Sequence, residues 1–112
     1  MSEPMFTTMQ VLDVARAAAG LRYLEFLRLP DLSAGLYVLE AGDTDPQQPH
    51  REDELYLVVA GRATITVGDE QRPVGPGSLV FVAAHVPHTF HDITERLEVL
   101  VVFGPAESLP GE

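Results

Sequence analysis

The chain contains no cysteine and no tryptophan. Lack of cysteine excludes disulfides, thiolate metal sites and cysteine nucleophiles, so metal ligands can come only from histidine, carboxylates and neutral oxygens. Basic residues are few, 7 against 17 acidic ones, and the formal net charge is −10. Such a surface repels phosphate backbones, so nucleic acid is not an expected partner. No apolar run is long enough to cross a membrane, so no membrane partner is expected. The opening "MSEPMFTTMQ" lacks the basic-then-apolar order of a signal peptide, and a soluble, cytoplasmic protein is expected. There is no internal repeat or low-complexity linker. The 112 residues suit a single domain large enough for a real core.

Helical periodicity is also sparse. Residues 7–19, "TTMQVLDVARAAA", carry the one convincing helix, with Val11, Ala15 and Ala18, and Leu12 and Ala19, on one side. Thr7 or Thr8 can cap its start and Gly20 its end. Everything later reads as strand. Short runs rich in branched and aromatic residues cover 22–29, 33–40, 54–60, 62–67, 78–83, 88–93 and 96–103, separated by turn signals such as "AGDTDP", "VGDEQ" and "GPG". Many short strands with no helices between them predict an antiparallel sandwich or barrel. The segmentation is 1–20 helical, 21–105 barrel and 106–112 tail.

Alternation assigns faces. Ala63, Ile65 and Val67 share one face and Arg62, Thr64 and Thr66 the other, so that strand is half exposed. In 54–60, Glu54, Tyr56, Val58 and Ala60 oppose Leu55, Leu57 and Val59, and both faces are apolar. The run 96–103 behaves alike. A small barrel has one interior, so the second apolar face needs a cover: the helix, a terminal strand or a second subunit. A homodimer joined through that sheet is the preferred expectation.

The four histidines are His50, His85, His88 and His91. Two histidines and one carboxylate from adjacent strands can occupy one side of a metal and leave positions open. His50, Glu54 and His88 form the natural set. Parity points Glu54 inward if Tyr56 and Val58 line the interior, and a buried lone carboxylate is costly unless it meets a cation. At a strand end, Glu54 could instead stand in water at the barrel mouth.

Two motifs give these residues a family likeness. Gly42, then Gln48-Pro49-His50, three residues, Glu54, six residues and Gly61 form the first. Gly77, "SLVFV", Ala83-Ala84-His85-Val86-Pro87-His88, three residues and Asp92 form the second. Together they resemble the paired motifs of the cupin superfamily, in its small single-domain form. The resemblance implies an all-β fold: a cupin double-stranded β-helix, or jelly-roll barrel, with one short N-terminal helix. It also implies a divalent metal (iron, manganese, nickel, cobalt or zinc) held at Gln48, His50, Glu54 and His88.

The chain departs from the family pattern at several points. Gln48 stands where a first histidine is usual. It can offer a neutral amide oxygen to the metal, bind a metal-bound water, or serve as an ordinary loop residue. Ala83 and His85 replace a proline and a glycine, and Asp92 replaces an asparagine. At His85 the turn calls for positive φ, which histidine tolerates better than branched residues do. His91, three residues past His88, falls on the opposite face. Tyr56, on the face of Glu54, is expected to line the pocket and supply a hydroxyl for proton transfer or orientation; Tyr37 and Phe90 are expected in the core. The resemblance implies a small-molecule enzyme of dioxygenase, isomerase or lyase type, with its ligand in the barrel. The alternatives are a non-catalytic small-molecule-binding cupin and a metal-stabilised one.

Overall fold

The computed structural model describes residues 5–47 and 49–109. It contains one helix, α1 (Met9–Ala18), and six strands: β1 (Tyr23–Leu29), β2 (Leu32–Leu39), β3 (Asp53–Val67), β4 (Glu70–Val74), β5 (Leu79–Val82) and β6 (His88–Gly104). All pairings are antiparallel, in the order β1-β2-β6-β3-β4, and β5 pairs with the first half of β3. The all-β expectation holds.

Two of the expected interruptions are not breaks. The segments 54–60 and 62–67 belong to one strand, as do 88–93 and 96–103. Gly61 has the sequence signature of a turn but makes a bend inside β3. Its φ is +92°, and a Cβ there would lie 2.1 Å from the Arg96 carbonyl oxygen. Only glycine satisfies both demands. The register between β3 and β6 shifts at this point, with Ala60 opposite Glu98 and Arg62 opposite Glu95. The bend brings the two halves of the long pair face to face. Tyr56, from the first half of β3, meets Phe90, which pairs with the second half, at 5.0 Å between ring centroids. Conversely β4 was expected as a turn. Its sequence, "EQRPV", is polar and holds Pro73, which an edge strand tolerates.

The interior is one cluster that includes Tyr37, Tyr56, Val58, Ile65, Phe90, Leu97 and Phe103. Tyr37 and Phe90 sit there as expected. A smaller cluster lies outside the sheet, where Leu12 and Met9 of α1 cover Leu36, Val38, Leu24 and Phe26. The helix docks differently from the expected stripe. Thr8 Oγ1 caps it by accepting from the Val11 amide, but Val11 is 60% exposed. Leu12 is the buried residue, flanked on the docked side by Asp13 and Arg16. Charge is favoured on that stripe because Asp13 accepts hydrogen bonds from Arg16 and, at 2.9 Å, from Arg96 of β6.

The helix covers only part of the outer face. Leu55 stands opposite Phe81 and Val102, and Leu57 opposite Leu79 and Leu100. Leu55, Leu79 and Phe81 are 43%, 68% and 62% exposed, so the second apolar face is real and is not covered by the described residues.

Candidate metal centre

His50 lies in the loop that leads into β3, three residues before its start at Asp53, Glu54 is the second residue of β3, and His88 opens β6. The loops are pinned to each other: the His85 amide donates to the His50 carbonyl at 2.7 Å, and the Ala84 amide to Asp53 Oδ1 at 2.9 Å. His85 turns the chain with φ +69°, and Asp92 follows with φ +49°. These are the left-handed positions where the second motif departs from glycine and asparagine. His91 points away, to Thr66 Oγ1 at 2.7 Å.

His50, Glu54 and His88 each bring one ligand atom within 4.8 Å of the other two. Glu54 is 2% exposed, which excludes a water-facing carboxylate at the mouth. His88 Nδ1 lies 2.9 Å from the Val86 carbonyl, to which it donates as the Nδ1–H tautomer, and its Nε2 then presents a lone pair. That Nε2 is 3.0 Å from Glu54 Oε1, yet the pair is not aligned as a hydrogen bond. His88 Nε2 and both Glu54 oxygens are buried without a hydrogen-bond partner among the described residues. Buried polar groups are almost always satisfied, and an unsatisfied charge is the costliest exception. Two imidazoles and a carboxylate around orphaned atoms fit a divalent cation.

The electrostatics are those of a crowded anionic pocket. Burial opposes the charge of His88, but the Glu54 carboxylate and the Val86 carbonyl outweigh it and hold its pKa above the ordinary histidine value. Burial dominates at His50 and lowers its pKa. Burial, then the Glu54 charge, keeps the Tyr56 hydroxyl protonated far above the ordinary range.

Beside the three residues is a cavity of about 110 Å³. Tyr23, Tyr37, Gln47 and Glu107 line it together with His50 and Glu54. Tyr56 is fully buried and reaches this wall through Gln47, whose Oε1 accepts from its hydroxyl at 2.9 Å. The Tyr56 ring stands 6.0 Å, centroid to centroid, from that of His88. Gln48 lies outside the described residues. The glutamine seen at the site is Gln47: its Oε1 is 3.4 Å from His50 Nε2, and its amide nitrogen donates to Asp45 Oδ2 at 2.9 Å. Asp45, itself buried, also accepts from the Tyr37 hydroxyl at 2.6 Å and the Phe90 amide at 2.9 Å, fixing the loop.

Two residues of the site had no signal in the motifs. Tyr23 packs its ring over Gly35, where a Cβ would run into it, and its buried hydroxyl has no partner among the described residues. Glu107 comes from the segment expected as a tail. It places Oε2 3.4 Å from His50 Nδ1, and burial and the Glu54 charge push its pKa up to about 7.

Fold and site together define a small antiparallel barrel with an interior histidine–carboxylate cluster whose ligand atoms could hold a metal ion. The family model for the cupin domain, of the Cupin_2 type, matches residues 35–103, and the chain belongs to that family. It is 57% identical over 97 residues to an uncharacterized protein of Streptomyces coelicolor, covering 87% of this chain and 92% of that one. Among solved structures it resembles an RmlC-like cupin with a double-stranded β-helix fold from Methanocaldococcus jannaschii (TM-score 0.68, 21% identity, 75% and 79% of the two chains). It also resembles KdgF from Halomonas sp. (0.68, 23%, 74% and 76%). The DMSP lyase DddQ from Ruegeria pomeroyi is similar too (0.67, 24%, 84% and 54%). At these identities the structural likeness speaks for the fold. Among the described residues no helix is long and apolar enough to cross a membrane.

Proposed function

We propose that this cupin holds one divalent metal ion through His50, Glu54 and His88 and acts on a small oxygen-bearing molecule in the adjoining cavity. The observation that carries the reading is the burial of both Glu54 oxygens and His88 Nε2 without hydrogen-bond partners among the described residues. Iron, manganese, nickel, cobalt or zinc suits this donor set, and such an ion would supply Lewis-acid polarisation of a carbonyl or enolate, or dioxygen activation.

The chain's own residues divide the remaining work. The free Tyr23 hydroxyl is a donor for an acceptor atom of the ligand. Gln47, braced by Asp45 and Tyr56, shapes one wall and fixes the approach to His50. Tyr56, held protonated, acts through Gln47. A cavity of about 110 Å³ limits the ligand portion beside these groups to a few non-hydrogen atoms.

We also propose that two copies pair through the uncovered apolar face around Leu55, Leu79 and Phe81.

X-ray absorption spectroscopy of reconstituted protein tests the metal reading. Two imidazoles and one carboxylate, with remaining positions that change when a small hydroxy- or oxo-acid is added, support a ligand-handling metal site. A closed shell unchanged by such acids indicates a metal-stabilised barrel.

A further inference from the structure

Five polar or charged residues are buried in the described chain: Ser33, Asp45, Glu52, Glu54 and His88. Glu54 and His88 belong to the metal centre, and Asp45 fixes the loop before it. Ser33 and Glu52 serve neither purpose. Both hold the segment that follows β6. The Glu107 amide donates to Ser33 Oγ at 2.8 Å, and Ser108 Oγ donates to Glu52 Oε2 at 2.6 Å. The Glu107 carbonyl accepts from Arg28 at 2.7 Å, and the Ala106 amide donates to the Pro30 carbonyl at 3.3 Å. Residues 105–109 are therefore a strap, tied on both sides of Glu107, and the side chain so held places Oε2 3.4 Å from His50 Nδ1.

Imidazole ligands of metals use one ring nitrogen and donate from the other, and a carboxylate partner there fixes both tautomer and ring orientation. His88 gets this service from the Val86 carbonyl. His50 has Nδ1 3.4 Å from Glu107 Oε2, and Nε2 3.4 Å from Gln47 Oε1 and 4.0 Å from Glu54. We propose that Glu107 is a positioning residue: when a cation takes Nε2 in place of the Gln47 contact, the strap holds the Glu107 carboxylate within reach of His50 Nδ1–H and so fixes that tautomer. The inference rests on the metal reading above, and it assigns the C-terminal strap a part in building the site.

The test compares zinc affinity, by chelator competition, in wild type, Glu107→Gln, Glu107→Leu and His88→Ala, with thermal melts of each metal-free protein as a folding check. Gln keeps an acceptor oxygen without the charge, and Leu keeps bulk without an acceptor. The expected order is Glu, then Gln, then Leu, with Leu weaker by roughly 10- to 100-fold and melts alike. The zinc-loaded wild type should show a slowly exchanging His50 Nδ1–H proton resonance, which Glu107→Leu loses. If His88→Ala loses zinc while Glu107→Leu binds within about twofold of wild type, the positioning role is overturned and the metal reading stands. A wild type that binds no zinc, manganese or iron overturns both.

Discussion

His88 Nε2 and Glu54 Oε1 lie 3.0 Å apart, buried, and without a hydrogen bond to each other or to any other described residue. A histidine and a glutamate whose purpose was mutual support would align as a charge-assisted pair, which is the stronger arrangement. Misalignment at contact distance is what two groups show when both aim at a third point. A cation there satisfies the orphaned atoms at once.

That geometry sets a pH response. Imidazole must be neutral to bind a metal, and His88 in the metal-free site has its pKa raised, with Glu54 and the Val86 carbonyl prevailing over burial. Protons therefore compete with the cation from somewhat above the ordinary histidine range downward, while His50, lowered by burial, competes only at lower pH. Affinity should fall steadily on acidification, and a metal titration at a series of pH values will show it. Undiminished binding well below about pH 5 would argue against histidine ligation.

The helix latch has its own pH signature. Hydrogen bonds from Arg16 and Arg96 hold the Asp13 pKa below its ordinary value, with burial opposing. A depressed carboxylate contributes stability that is fully present above its unfolded pKa and lost as pH falls through the folded one. Asp13→Asn should lower stability by about 0.5–1 kcal/mol at neutral pH. The gap to wild type should close as pH falls below about 3.8 in paired urea melts. A constant gap would mean that Asn disturbs the helix for another reason.

Gly61→Ala should cost on the order of 2–4 kcal/mol. It places a Cβ against the Arg96 carbonyl at a residue with positive φ. Gly42, also at positive φ but in open space, should lose less when changed to Ala. Equal losses in denaturant melts would remove the special role of the bend.

If copies pair through the outer face, charge placed there should separate them. Leu79→Glu and Phe81→Lys replace side chains that are mostly exposed in the single chain, so folding should survive. Sedimentation should show dimers for wild type and monomers for the double variant. A wild-type monomer at micromolar concentration would overturn the pairing.

Strand parity offered the inward direction of Glu54 only on condition that Tyr56 and Val58 are interior, against a place in water at the mouth; Tyr56, Val58 and Glu54 are all buried. The same rule sent His91 outward. Motif spacing foretold the turn at His85. Loop conformation was not legible: nothing in "PQQPH" says that Gln47 turns toward His50, as the structure shows it doing. Gly61 was misread because glycine marks bends and turns alike, and only the carbonyl of a distant strand decides between them. Glu107 left no trace in the sequence pattern, since its role depends on Ser33, Arg28 and Glu52, contacts made far along the chain.

The most direct test of the metal centre is a metal count on protein reconstituted with iron, manganese, nickel or zinc and then freed of excess ion. Wild type and His91→Ala should each retain about one ion per chain, and Glu54→Ala and His88→Ala far less. No retained ion in wild type, or loss in His91→Ala with retention in His88→Ala, would contradict it.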